Sequence, residues 1–188
     1  MTTRLLLLFA VLTLAAGCKK DALDPDGLVP ATRSGKNTGD FLLNGQPWGP
    51  QASITSPGNP VGAFWDNFGR GRHMQISLFR EERDANRTRR VCNIILSNIK
   101  SAGTFHLKDL VNPSVVSGSR SYIIYEVPGV FPAVYKDYLT GPSSPGKVIT
   151  TRYDTVARVV SGTFEAKLRE YQGPDSLALT KGRFDCTF

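Results

Sequence analysis

Apolar and polar residues alternate along several stretches of the chain, with the period of two that marks half-buried β-strands. The alternation is clearest in residues 74–78, 92–97 and 160–169. In the last stretch Phe164 and Leu168 point to one face, and the charged residues beside them point to the other. Residues 122–127 are apolar on both faces and predict an inner strand, and residues 148–153, rich in β-branched side chains, predict another.

The turns between these strands carry their own signals. Asn44-Gly45 is typical of a two-residue hairpin, and residues 173–175, Gly-Pro-Asp, predict the turn between the last two long strands. In the final strand the apolar positions change from odd (177, 179) to even (184, 186, 188). A bulge near residues 180–182 would return both groups to one face, and the alternative is that the two leucines face outward.

These patterns predict an all-β protein. Residues 40–188 contain no stretch of ten or more residues with helical periodicity, and they contain about eight to ten candidate strands. We therefore expect a single antiparallel β-sandwich or barrel-like domain over residues 40–188.

The N-terminus carries a different pattern. Residues 5–16 form an apolar run that follows Arg4, too short for a span of about 20 residues but typical of a secretory signal peptide. The sequence Leu14-Ala15-Ala16-Gly17-Cys18 resembles the lipobox of bacterial lipoproteins. The resemblance implies that residues 1–17 are cleaved and that the thiol of Cys18 receives a diacylglycerol. The alternative is an ordinary secretory signal with a chance cysteine.

The residues after Cys18 predict location and reach. Lys19, where an aspartate often retains lipoproteins in the inner membrane, favours the outer membrane of a Gram-negative bacterium, on its periplasmic or cell-surface face. The start Cys-Lys-Lys-Asp resembles surface lipoproteins of Bacteroidota. Few large apolar residues occur between 19 and 39, so we predict that residues 18–39 hold the lipid and form a flexible tether of about 25 Å.

The charge of the chain narrows the possible partners. The whole chain has 23 Lys and Arg against 16 Asp and Glu, a net charge of +7, and cleavage would remove only Arg4 and leave +6. A nucleic-acid partner is not expected outside the cytoplasm. The densest basic cluster, residues 80–90, is interleaved with acids and predicts a solvated loop.

The second half of the chain carries three motifs, in residues 137–140 (DYLT), 146–168 (GKVITTRYDTVARVVSGTFEAKL) and 179–188 (LTKGRFDCTF). Together they resemble the C-terminal pattern of an uncharacterised lipoprotein family of Bacteroidota. Asn44-Gly45 with Trp48, and residues 103–105, fit its N-terminal half. The resemblance implies a β-fold and a lipid-anchored location, and it implies no activity and no catalytic residue.

The sequence offers little sign of catalysis. His73 and His106 each stand alone, so we predict no metal and no cofactor. No nucleophile motif is present. A glycosidase pair of carboxylates would converge only in three dimensions, so a glycan-acting hydrolase with carboxylates from strand ends stays the alternative to a non-catalytic binding or structural domain.

Three further features are candidate sites. The stretch 64–73 predicts a ligand-binding loop for a sugar or an anion, unless its phenylalanines 64 and 68 are core residues. Thr155 and Ser176 follow aspartates in patterns that resemble O-glycosylation sites of Bacteroidota, although such short patterns also recur by chance. Cys92 and Cys186 both point to the predicted core, where they form either a disulfide or two buried thiols. The residues of the candidate loop are Trp65, Phe68, Arg70, Arg72 and His73.

Overall fold

The structure is a computed structural model, and it describes residues 23–52, 58–67, 72–81, 88–109, 111–112, 120–128 and 136–188. The predicted signal peptide, Cys18, Phe68 and Arg70 lie outside the described residues.

The described residues form eleven β-strands and no helix, which confirms the all-β prediction. The count exceeds the eight to ten expected strands because short segments such as β2 and β8 also pair. The strands are β1 (Thr38–Leu43), β2 (Gln46–Trp48), β3 (Val61–Asp66), β4 (His73–Glu81), β5 (Arg89–Ser97), β6 (Gly103–Leu107), β7 (Tyr122–Val127), β8 (Lys136–Leu139), β9 (Gly146–Asp154), β10 (Val159–Glu170) and β11 (Ser176–Thr187).

All eleven strands belong to one curled, half-barrel sheet in which neighbouring strands run antiparallel. Its order is β2-β1-β11-β10-β8-β7-β5-β4-β3, and β9 with β6 branches from β10. Beyond β2 the chain reaches β4, next to the far end of this path, where Gln51 bridges to Arg80. The curl of the sheet thus leaves a concave inner face, which holds the core, and a convex outer face.

The predicted alternation is present in the strands. In β10, Phe164 and Leu168 are buried while Glu165 and Lys167 are exposed. Even-numbered residues of β4 and β5 fill the core in the same way. In β7, Ile123 and Tyr125 face the core and Ile124 joins a second, smaller cluster, so both faces of this inner strand are covered as predicted.

The hairpin and the bulge are also where the sequence predicts them. Asn44 and Gly45 have φ values of 49° and 80°, as a tight hairpin with two left-handed residues requires. In β11 two residues, Thr180 and Lys181, oppose the single Glu165 of β10, because Phe164 pairs with Gly182 and Ala166 with Leu179. Leu179, Phe184 and Cys186 are consequently all buried on one face.

Gly182 at this bulge provides space and does not supply the left-handed backbone conformation. Lys181, not Gly182, adopts the left-handed conformation, with φ 53°. A Cβ on Gly182 would lie 2.6 Å from two ring atoms of Phe164, so the position needs glycine for space.

The predicted tether needs correction, because its described part lies on the domain. Residues 24–37, here called the strap, run along the outer face of β11 and β10. Asp24 accepts the backbone N–H groups of Asp26 and Leu28, and Leu28 is only 1% exposed. Local turns and buried contacts therefore order a segment whose composition predicted flexibility. The folded domain begins well before residue 40.

Residues 32–36 of the strap are held by one carboxylate, that of Asp185 in β11. This side chain is 1% exposed, because the strap covers the outer face at this point. Its oxygens accept hydrogen bonds from Thr32 Oγ1, from the backbone N–H groups of Ser34, Gly35 and Lys36, and from Ser161 Oγ of β10. Burial alone would raise the pKa of Asp185, but these donors outweigh it and lower the pKa to about 2.

The disulfide alternative for the two domain cysteines is not realised. Cys92 and Cys186 are both free and fully buried. They occupy β5 and β11, which are not neighbours in the sheet, and each packs in the core as a small apolar side chain. Burial raises the pKa of both thiols, that of Cys186 to about 12.

Asp185→Asn should release residues 32–36 of the strap from β11. An amide has one acceptor oxygen, and its NH₂ group would face the donors of the strap, so we expect a loss of about 2–3 kcal/mol in the free energy of unfolding at pH 7. The difference from wild type should shrink as the pH falls from 4 to 2, because the folded-state pKa lies below the ordinary value and the stabilisation is lost through that range. Urea unfolding across this pH range measures both effects.

The matched control is Glu165→Gln, which changes an exposed carboxylate on β10 whose partner is Lys147 at 2.8 Å. It should change the free energy of unfolding by less than about 1 kcal/mol. Amide hydrogen exchange of residues 32–36 should accelerate in the Asp185 variant only. Unchanged protection there would contradict the assigned role of Asp185.

Candidate functional site

Four side chains meet at one end of the curled sheet, and we call them the aromatic end: Trp65 of β3, Arg72 before β4, Tyr153 of β9 and Phe188 after β11. The Arg72 guanidinium lies 4.0 Å from the centroid of the Trp65 ring. The Trp65 ring meets Phe188 edge-on at 6.4 Å, and Phe188 stacks on Tyr153 at 5.8 Å with an interplanar angle of 6°. All four side chains are at least partly exposed.

Beside the aromatic end lies an open cavity of about 500 Å³. It is lined by Ala63, Ala157, Arg158, Thr187 and Phe188. Aromatic rings offer stacking surfaces, and guanidinium groups such as those of Arg72 and Arg158 bind carboxylates and phosphates through paired N–H donors. The arrangement suits a ligand with both an apolar face and a negative charge.

The structure brings together only part of the predicted loop site. Trp65 and Arg72 are in contact, but His73 is directed to the opposite face of the sheet, since it pairs with Asp66 and not with Trp65. It is 3% exposed, and its Nδ1 atom is buried without a hydrogen-bond partner. His73 is therefore not a residue of the aromatic end.

The alternative that Phe64 is a core residue is wrong. It is 46% exposed, because the inward positions of β3 are odd-numbered and end at Trp65. Sequence reasoning missed Tyr153 and Phe188, which lie about a hundred residues further along the chain. Their aromatic character at strand ends was the only signal for them.

A second group of polar side chains lies on the outer face of β4, β5, β7 and β8, and we call it the carboxylate ladder. Gln75 Nε2 donates to Asn93 Oδ1 at 3.1 Å, and Asn93 Nδ2 donates to Glu126 Oε2 at 3.2 Å. Glu126 pairs directly across the sheet with Asp137 of β8. Two carboxyl groups are thus neighbours at the ends of adjacent strands.

The surroundings of the ladder favour the protonated carboxyl form. Burial raises the pKa of Glu126, the nearby charge of Asp137 raises it further, and Arg89 opposes both. Burial also raises the pKa of Asp137, whose Oδ1 atom is buried without a hydrogen-bond partner. Paired carboxyls with raised pKa values are typical of acid–base sites, although ion pairs also produce such shifts.

A larger groove of about 580 Å³ lies on β9, β10 and β11, away from both groups. Its lining includes the apolar residues Ala166 and Leu179 and the basic residues Lys147 and Lys167. Lys147 is bound to Glu165 at 2.8 Å. The groove lacks the stacked rings of the aromatic end and the paired carboxyls of the ladder, so its size alone does not make it the better candidate.

The two predicted O-glycosylation residues are accessible. Thr155 is exposed in the turn between β9 and β10, where Asp154 accepts the N–H groups of Val156 and Ala157. Ser176 is exposed at the start of β11. O-glycosylation of these two residues stays a prediction. Among the described residues no group of three or more His, Cys, Asp or Glu side chains is placed to hold a metal ion.

Comparisons with protein-family models, with curated proteins and with solved structures found no match to this chain. The resemblance to a Bacteroidota lipoprotein family therefore stays a prediction from the sequence. Within the described ranges no helix has the length and apolarity to cross a membrane.

Proposed function

We propose that this protein is an outer-membrane lipoprotein, anchored through Cys18, whose β-domain binds an acidic glycan without catalysis. The anchor rests on the apolar run, the small residues and the cysteine at positions 5–18. The observation that carries the binding role is the contact of Arg72 with Trp65 beside the stacked pair Tyr153 and Phe188.

The chemistry of the aromatic end favours this ligand class. The axial C–H groups of a pyranose ring form an apolar face that packs on aromatic side chains, and the carboxylate of a uronic acid matches a guanidinium fork. Each contact contributes on the order of 1 kcal/mol, so affinity comes from several of them together. A long acidic polymer would gain further from the net positive charge of the chain.

The anchor is tested by Cys18→Ser. Only the cysteine thiol can accept the diacylglycerol, so we expect the variant to remain in the aqueous phase or unprocessed, whereas the wild-type protein enters the detergent phase on Triton X-114 partition. A variant that still enters the detergent phase at the size of the mature form would show that the anchor is not at Cys18.

The binding role is tested with uronic-acid oligosaccharides titrated into the Cys18→Ser protein by calorimetry. Trp65→Ala and Arg72→Gln should each weaken binding about tenfold, since each removes roughly 1.4 kcal/mol of contact energy. Arg169→Gln, which removes an exposed arginine from the outer face of β10, is the matched control and should bind normally. Absence of binding by the wild type, or equal loss in the control, would refute the proposal.

A second candidate function is favoured by the carboxylate ladder. Directly opposed residues of antiparallel strands have Cβ atoms about 5 Å apart, so the carboxyl groups of Glu126 and Asp137 are within reach of the close spacing that a retaining glycosidase needs. In such an enzyme Glu126 would give its proton to the leaving oxygen while Asp137 attacks the anomeric carbon. Glu126 takes the acid role because both burial and the Asp137 charge raise its pKa.

If the ladder is catalytic, release of nitrophenol from aryl glycosides should fall at least about 100-fold in Glu126→Gln. Glu165→Gln, the control, makes the same change at an exposed glutamate on the outer face of β10 and should retain activity. Trp65→Ala should also retain activity towards small substrates, since the aromatic end is a separate site. A wild-type protein that cleaves none of a panel of aryl glycosides would exclude this second function.

A further inference from the structure

The strap begins at a fixed point on the domain. Asp24 binds Arg183 at 2.8 Å, Asp26 binds Lys181 at 2.7 Å, and Leu28 is buried. The chain is therefore attached to β11 from residue 24 onward.

This attachment leaves a short connection to the lipid. Six peptide units separate Cys18 from Asp24, and a fully extended chain of that length spans at most about 22 Å. The sequence predicted a tether of 21 residues, which would allow the domain a wide range of orientations. The structure reduces this tether to a connection shorter than the domain itself.

The start of the strap lies beside one end of the sheet, which we call the anchor-side face (residues 24–27, 44–47 and 180–181). A Cβ on Gly27 would be 3.4 Å from Pro47 Cγ, so the strap touches the hairpin between β1 and β2. Asn44 in that hairpin accepts a hydrogen bond from the backbone N–H of Ala178 at 2.8 Å. Leu23, at the very start, is 60% exposed.

The aromatic end lies far from this face. From the bulge at Lys181, β11 continues for six more residues to Thr187, a rise of about 20 Å, and Phe188 follows. The strap follows the same direction and reaches Thr187, where Asn37 Oδ1 accepts the backbone N–H at 2.8 Å. The strap therefore connects the two ends of the domain.

We infer that the strap fixes the orientation of the domain on the membrane, with the anchor-side face against the lipid headgroups and the aromatic end directed away from them. The inference rests on the proposed lipid anchor at Cys18. The short length of the connection between Cys18 and the strap fixes the orientation. The charges of the anchor-side face contribute little, because the carboxylates of Asp24 and Asp26 already bind Arg183 and Lys181. The partner surface is the phospholipid headgroup layer into which the acyl chains of Cys18 insert.

The test measures the distance of two labels from the membrane. Gln46→Cys places a fluorophore on the anchor-side face, and Val156→Cys, at a residue 95% exposed, places one near the aromatic end. Cys92 and Cys186 are fully buried with raised pKa values and should not react with maleimide. Each lipidated protein is reconstituted in vesicles of phosphatidylethanolamine and phosphatidylglycerol that carry a headgroup quencher.

We expect quenching at position 46 to exceed that at position 156 at least about threefold, because the two ends differ by about 20 Å in height. The ratio should persist in 0.5 M NaCl, at which surface electrostatics are screened over a few ångströms. Equal quenching at the two positions, or a ratio that disappears in salt, would overturn the inference.

A longer connection should remove the difference. A ten-residue Gly-Ser insertion after Lys20 should lengthen the connection without touching the folded part. The insertion should bring the ratio towards one, and an insertion variant with the wild-type ratio would refute orientation by the strap. Vesicle flotation separates the two proposals: a protein that does not float refutes the anchor, whereas one that floats with equal quenching refutes only the orientation.

Discussion

The carboxylate of Asp185 is the point on which the arrangement of the whole molecule depends. It faces outward from the last strand, where a charged side chain would ordinarily be solvated. Instead it collects five hydrogen bonds, four of them from the strap, and so fixes residues 32–36 over β10 and β11. Without it, residues 32–36 would have the composition of a linker and would lose these hydrogen bonds to the sheet.

Asp40 shows that burial under the strap does not by itself stabilise a carboxylate. It is 4% exposed, but it accepts only the backbone N–H of Val29, and Arg183 Nε lies 3.4 Å away. Burial therefore dominates and raises the pKa of Asp40 to about 6, so its contribution to stability declines as the pH rises from about 4 through 6. Asp185 contributes in the opposite direction, and the number of donors accounts for the difference.

Local chemistry made much of the fold predictable. The alternation in β10, the left-handed pair Asn44-Gly45 and the parity change that required a bulge near Lys181 are each set by neighbours within a few residues. The strap was not predictable in this way, because its contacts join residues about 150 positions apart. For the same reason the sequence indicated Trp65 and Arg72 but missed Tyr153 and Phe188.

The proposed orientation bears on which ligand can reach the aromatic end. A ligand held there lies about 20 Å from the anchor-side face, which is more than two Debye lengths at physiological salt, about 8 Å each. Anionic lipid headgroups therefore do not compete for Arg72 and Arg158, and these guanidinium groups keep their full attraction for an acidic polymer. A lipid headgroup of the same bilayer could not reach the site. On the proposed orientation, the geometry thus favours a ligand that approaches from the aqueous side over one held in the bilayer.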